Sequence, residues 1–148
     1  MPTRILIADD DATIRLLLRR LLEMNPDWKV CGEAHDGIDA VLKTMQLSPD
    51  LVIMDLSMPK MNGLDACREI SGLRPELPVL LVTVQQIVGP AIQDICGAGF
   101  RGAITKENGA EVVEGVKALL QGGYFFESQI STEPPKRQGG SVACGQPV

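Results

Sequence analysis

Histidine is almost missing from this chain: His35 is the only one in 148 residues. With one imidazole, no Ser-His-Asp triad and no histidine-based zinc site is read from the sequence. The four cysteines, Cys31, Cys67, Cys96 and Cys144, form no CxxC pair and no Cys/His ligand spacing. Reduced thiols are therefore expected, and a sulfur-ligated metal is not. Basic charge is not in excess either. The formal net charge is −5, which disfavours nucleic-acid binding by this segment. No apolar run approaches the roughly 20 residues that span a bilayer, so no membrane contact is expected. The N-terminus, MPTRILIADDD, enters a strand pattern at once and lacks a signal-peptide layout, which reads as cytoplasmic.

What is present fits one domain with a core of its own: hydrophobic residues make up 45% and charged residues 22%, an ordinary globular balance. The most informative stretch is LVIMDLSMPKMNG, Leu51 to Gly63. Leu51 to Met54 give a short buried-strand signal. Asp55 follows directly, and a loop with Pro59 and an Asn62-Gly63 turn pair stops the strand. A carboxylate at the end of a buried strand is expensive unless it is used there. In open parallel sheets that edge is where ligands bind.

The rest of the chain alternates strands and helices. Arg4 to Ala8 reads as a buried strand ending in Asp9, Asp10 and Asp11. Ile14, Leu17, Leu18, Leu21 and Leu22 recur at helical spacing, with Arg15, Arg19, Arg20 and Glu23 outside that stripe. Trp28 to Ala34 is a mixed strand, and Asp36 can cap a helix carrying Ile38, Val41, Leu42 and Met45. A third helix carries Leu64, Cys67, Ile70 and Leu73. Pro78 to Thr83 is a third apolar strand. Pro90 suits the first turn of a short fourth helix, closed by Gly97 and Gly99. Gly102 to Thr105 is a modest fifth strand. Asn108 and Glu111 resemble a capping box before a last helix with Val112, Val113, Val116, Leu119 and Leu120, ended by Gly122-Gly123.

Five such alternations predict an α/β doubly wound parallel sheet. The strands at Ile5, Val52 and Leu80 are almost purely apolar, and those at Val30 and Ile104 are mixed. Central strands of a parallel sheet are covered on both faces, so the mixed pair belongs at the edges and the expected order is 2-1-3-4-5. That order puts the switch point between the first and third strands, whose ends carry Asp9, Asp10 and Asp55. The domain is expected over 1–125, with a flexible tail or linker over 126–148. There STEPPKRQGGSVACGQPV is rich in Pro, Gly and polar residues.

Three carboxylates at one strand edge repel and need compensation. A hard divalent cation with oxygen ligands fits best, and magnesium takes one or two carboxylates, waters and a phosphate. Thr83 ends the fourth strand and Lys106 follows the fifth, which places a hydroxyl and an ammonium on the same edge. These are parts for holding a phosphoryl group, whose transfer depends on positioning and charge neutralisation. An aspartate can itself be the nucleophile. Each residue alone has an ordinary reading: Asp11 as the N-cap of the first helix, Thr83 as a strand residue, Lys106 as a solvated lysine.

The pieces ILIADD (5–10), MDLSMPKMNG (54–63), LLVT (80–83) and the lysine after AIT (103–106) resemble the response-regulator receiver domain of two-component signalling, a CheY-like family. The resemblance implies a flavodoxin-like (βα)5 fold and a phosphoacceptor at Asp55. It also implies magnesium held by Asp9, Asp10, Asp55 and the Ser57 carbonyl, with Thr83 and Lys106 on the phosphoryl oxygens. Glu107 after the lysine and the GGYFFES ending resemble the NarL-type branch, whose members usually continue into a helix-turn-helix DNA-binding domain. No such pattern is found here, which leaves a stand-alone receiver or a truncated transcriptional regulator.

The implied partners are a sensor histidine kinase or phosphotransfer protein, and an output domain or protein met through the side formed by the fourth helix, fifth strand and fifth helix. A homodimer is compatible. No catalysis is expected beyond self-phosphorylation and dephosphorylation. Val84 stands where the family has a small residue, and Ala103 where it often has Tyr or Phe. Other classes are a pseudo-receiver that binds without phosphate, an aspartyl phosphatase and a flavin-binding relative. Ser57 two residues after Asp55 speaks against the phosphatase. Acids in place of a phosphate-cradling glycine loop speak against flavin.

Overall fold

The computed structural model describes residues 2–84, 89–106 and 109–126. The expected capping residue Asn108 and the tail from 127 onward lie outside them. The described elements are β1 (Thr3–Ala8), α1 (Ala12–Glu23), β2 (Trp28–Ala34), α2 (Gly37–Leu47), β3 (Leu51–Met54), α3 (Gly63–Leu73), β4 (Val79–Thr83), α4 (Gly89–Ala98), β5 (Gly102–Thr105), α5 (Gly109–Leu120) and β6 (Phe125–Phe126).

The sheet runs β2-β1-β3-β4-β5-β6, and every pairing is parallel. The order 2-1-3-4-5 is as read from the apolar character of the strands. The outer edge is not. β5 is followed by the two-residue β6, paired Gly102 to Phe125 and Ala103 to Phe126. Glycine makes this pairing fit. A Cβ on Gly102 would lie 2.5 Å from the Phe125 carbonyl oxygen.

Strand side chains alternate between two cores, as the period of two requires. Ile5, Ile7, Leu51, Ile53, Leu80, Val82 and Ile104 face one side, packed with Leu18 and Leu22 of α1 and Val112 and Val116 of α5. Leu6, Val52, Met54, Val79, Leu81 and Ala103 face the other, packed with residues of α2, α3 and α4.

Several helix faces differ from their periodic reading. Leu17 is exposed, while Arg15 lies half-buried in an ion pair with Glu33. On α2, Ile38 and Leu42 are exposed, and Gly37, Ala40 and Thr44 meet the core. α2 lies close enough to the sheet and loops that small residues serve where the pattern suggested large ones. Leu73 is exposed at the end of α3. Cys31 and Cys67 are free thiols.

Candidate functional site

The site forms where β1, β3, β4 and β5 end. Asp9 leaves β1 fully buried, with its N–H donating to the Ala34 carbonyl at 3.0 Å. Asp55 leaves β3, buried, with its N–H on the Ala8 carbonyl at 2.9 Å. Thr83 closes β4, buried, and its carbonyl accepts from the Lys106 N–H at 2.9 Å. These backbone bonds across strand ends fix four side chains on one edge before any ligand arrives.

Asp9, Asp10 and Asp55 converge: one carboxylate oxygen of each lies within 4.8 Å of the others. Asp10 is exposed and opens the cluster to solvent. Lys106 Nζ lies 2.7 Å from Asp9 Oδ2 and 3.3 Å from Asp55 Oδ1. Asp11 stands apart. Its side chain accepts from the Thr13 and Ile14 N–H groups and caps α1, its ordinary reading. Ser57 is exposed in the loop after Asp55.

The charges are strongly coupled. Burial, then the neighbouring Asp9 charge, push the Asp55 carboxyl up to about 6. Lys106 and the Leu56 N–H pull the other way without cancelling the rise. Burial also opposes the charged form of Lys106. The hydrogen bond to Asp9 and the charges of Asp55 and Asp9 outweigh it, and Lys106 titrates above an ordinary lysine. Asp55 is thus an anion held at a cost, which added positive charge would relieve. Three hard carboxylate oxygens, one solvent-facing, suit a divalent cation that keeps waters in its shell.

Three supporting roles are not visible in the sequence patterns. Arg15, outside the apolar stripe, donates to the Asp9 carbonyl at 2.6 Å and pairs with Glu33 at 2.9 Å. Gly63, half of the expected turn pair, is the first residue of α3, and Asn62 caps that helix by accepting from the Asp65 N–H. A Cβ on Gly63 would lie 2.0 Å from the Asp55 carbonyl oxygen. Asp36 caps α2 as expected but also lies 3.8 Å from Lys60 of the loop after Asp55.

A model of the family described as Response regulator receiver domain matches residues 5–117. The chain is 30% identical over 129 residues to the transcriptional regulatory protein DegU of Brevibacillus brevis, covering 86% of this chain and 54% of that protein. It is 42% identical over 80 residues to a protein-glutamate methylesterase/protein-glutamine glutaminase of Pyrococcus abyssi, covering 54% of this chain and 22% of that one. The chain thus spans about half of the first relative and less than a quarter of the second. A solved structure of a LuxR-family two-component response regulator from an Aurantimonas species superposes with a TM-score of 0.85 at 31% identity, covering 90% of this chain and 95% of that one. The parallel sheet order, the acidic edge and these matches agree: the chain belongs to the response-regulator receiver domain family.

Proposed function

We propose that this chain is a phosphoacceptor receiver in which Asp55 takes a phosphoryl group from a sensor histidine kinase or a phosphotransfer protein. The observation that carries the reading is the Lys106 ammonium shared between Asp9 and Asp55 at the mouth of the three-carboxylate cluster. Asp9, Asp10, Asp55 and the Ser57 carbonyl would hold magnesium. When bound, the cation neutralises charge on the incoming phosphoryl oxygens.

The chain's own groups supply the rest. An Asp55 carboxylate oxygen attacks phosphorus, an O–P bond forms, and the donor's bond to phosphorus breaks with its electron pair leaving on the donor. Lys106, held charged by Asp9, pairs with a phosphoryl oxygen as the Asp55 carboxylate loses its negative charge to the new acyl phosphate. The Thr83 hydroxyl would donate to another. Catalysis goes no further than this self-modification and its reversal by water.

The unit is read as 1–125, with 126–148 as tail or linker, and the setting as cytoplasmic. No helix among the described residues is long and apolar enough to cross a membrane. The modified edge is read as changing the face of α4, β5 and α5 toward an output domain or protein partner. Incubation with acetyl phosphate and magnesium tests the reading. A hydroxylamine-labile phosphoryl group should appear, and chelator should prevent it. No label on folded protein with magnesium present would refute the assignment.

A further inference from the structure

The loop of residues 55–62 carries both the proposed phosphoacceptor and the Ser57 carbonyl, and it is wedged against the first residue of α2. A Cβ on Gly37 would lie 2.0 Å from the Met61 carbonyl oxygen, 2.6 Å from that carbonyl carbon and 2.7 Å from Met61 Cβ. The nearest atoms are backbone, so rotation of a side chain cannot relieve the contact.

The loop has little slack to yield. Its start is tied by the Asp55 N–H to the Ala8 carbonyl at 2.9 Å, and its end by the Gly63 N–H to the Leu56 carbonyl at 2.8 Å. Met58 between them is buried in the core. Lys60 sits at a φ of 67°, a left-handed conformation that costs a side chain about 1–2 kcal/mol. The next residue folds back, with the Met61 N–H on the Pro59 carbonyl at 2.7 Å. Lys60 Nζ also reaches Asp36 Oδ2 at 3.8 Å. Two consecutive residues of α2's start therefore meet the loop, Asp36 through charge and Gly37 through backbone contact.

We propose that Gly37 is a positioning residue for the Asp55 site. By letting α2 touch the Met61 backbone, it sets where the loop holds the Ser57 carbonyl and the Asp55 carboxylate, and so sets magnesium affinity and phosphorylation rate. The proposal rests on the reading of Asp55 as a magnesium-dependent phosphoacceptor. A methyl at position 37 must open the gap to Met61 from 2.0 Å to about 3.4 Å. With both loop ends anchored, the shift falls on the residues between. Misplacing a reacting group by about 1 Å can cost on the order of a hundredfold in rate. Loosening the support of a metal ligand costs about 10- to 100-fold in affinity.

The test compares wild type, Gly37→Ala and Gly32→Ala. A Cβ on Gly32 crowds the tip of the Leu47 side chain, at 2.6 Å, and meets Leu6 Cδ1 at an ordinary 3.6 Å, so this variant loads α2 without touching the loop. Magnesium affinity by calorimetry, phosphorylation rate with acetyl phosphate, and melting temperature are read for each. Gly37→Ala should bind magnesium about tenfold more weakly and react about tenfold more slowly, while Gly32→Ala keeps wild-type affinity whatever its melting temperature. Gly37→Ala with wild-type affinity and rate, even if less stable, would overturn the proposal. If Gly37→Ala does not fold, NMR titration of wild type with magnesium decides. The Gly37 and Ile38 amides should move with those of Asp55 and Ser57, and silence at 37 and 38 would overturn the proposal. Wild type that neither binds magnesium nor takes the phosphoryl group would instead overturn the reading beneath it.

Discussion

The Lys106 ammonium sits 2.7 Å from Asp9, closer than its 3.3 Å approach to Asp55. Lys106 is thus anchored by one acid while reaching the other, and both acids depend on it. Both are almost fully buried and Lys106 itself is about 10% exposed. Lys106→Met keeps the apolar stem and removes the charge, leaving two carboxylates uncompensated. The expected loss is about 3 kcal/mol at pH 7, the scale for breaking a buried pair from one side. It should shrink at pH 5, where Asp55 takes up a proton. Urea unfolding at both pH values checks this, and equal losses would argue against the coupling.

Asp55 should make the protein less stable as pH rises. Its carboxyl is raised from 3.8 to about 6 in the fold, so the native state holds that proton more tightly than the unfolded chain. This tighter hold favours folding at pH below 3.8, fades between 3.8 and about 6, and is fully lost above. Asp55→Asn removes the dependence. The variant should be more stable than wild type at pH 7, by as much as about 3 kcal/mol at 1.36 kcal/mol per unit, with the gain vanishing toward pH 4. Melting curves across that range test the sign; a variant less stable at pH 7 contradicts it.

Much of this site is legible in the sequence because it is local to strand ends. ILIADD, LVIMD, VLLVT and AITK each place a polar residue after an apolar run, and a parallel sheet brings such ends together. The outer edge is not legible. Phe125 and Phe126 are only two residues, and their place depends on the room left by Gly102 and Gly115, a tertiary fit with no period. Arg15 and Gly63 escape the patterns for a related reason. Each serves a backbone carbonyl, Asp9's or Asp55's, and sequence patterns register side-chain character only. Leu17 and Leu42 have the right spacing but the wrong face, because small residues and ion pairs take the inner positions.

Val84 should slow small phosphodonors. It follows Thr83 and is 62% exposed, and its β-branched side chain is stiff. Val84→Ala should react about threefold faster, equivalent to roughly 0.7 kcal/mol, at unchanged magnesium affinity. Stopped-flow rates with acetyl phosphate measure this, and an equal or lower rate would place Val84 away from the path of approach.

Within the face of α4, β5 and α5, the switch should act through the end of β4 and through α4 more than through β5. Ala103 is fully buried between Leu81 and Phe126 in register and has no side chain long enough to follow a moving threonine. A beryllofluoride mimic of the phosphoryl group should therefore change amide exchange at Thr83, Val84 and α4 more than at residues 101 to 105. Residues 85–88, between β4 and α4, lie outside the described residues. A response centred on β5 with α4 silent would count against this route.

Asp55 should be the phosphoacceptor and should need magnesium. Three carboxylates supply charge but too few ligands for an all-protein cage, so the cation should bind weakly alone and be required for the reaction. Intact-protein mass spectrometry after acetyl phosphate treatment tests this most directly. Wild type with magnesium should gain one phosphoryl group. Wild type in chelator and Asp55→Asn with magnesium should gain none. A phosphoryl group on folded Asp55→Asn, or an undiminished yield in chelator, would contradict the account.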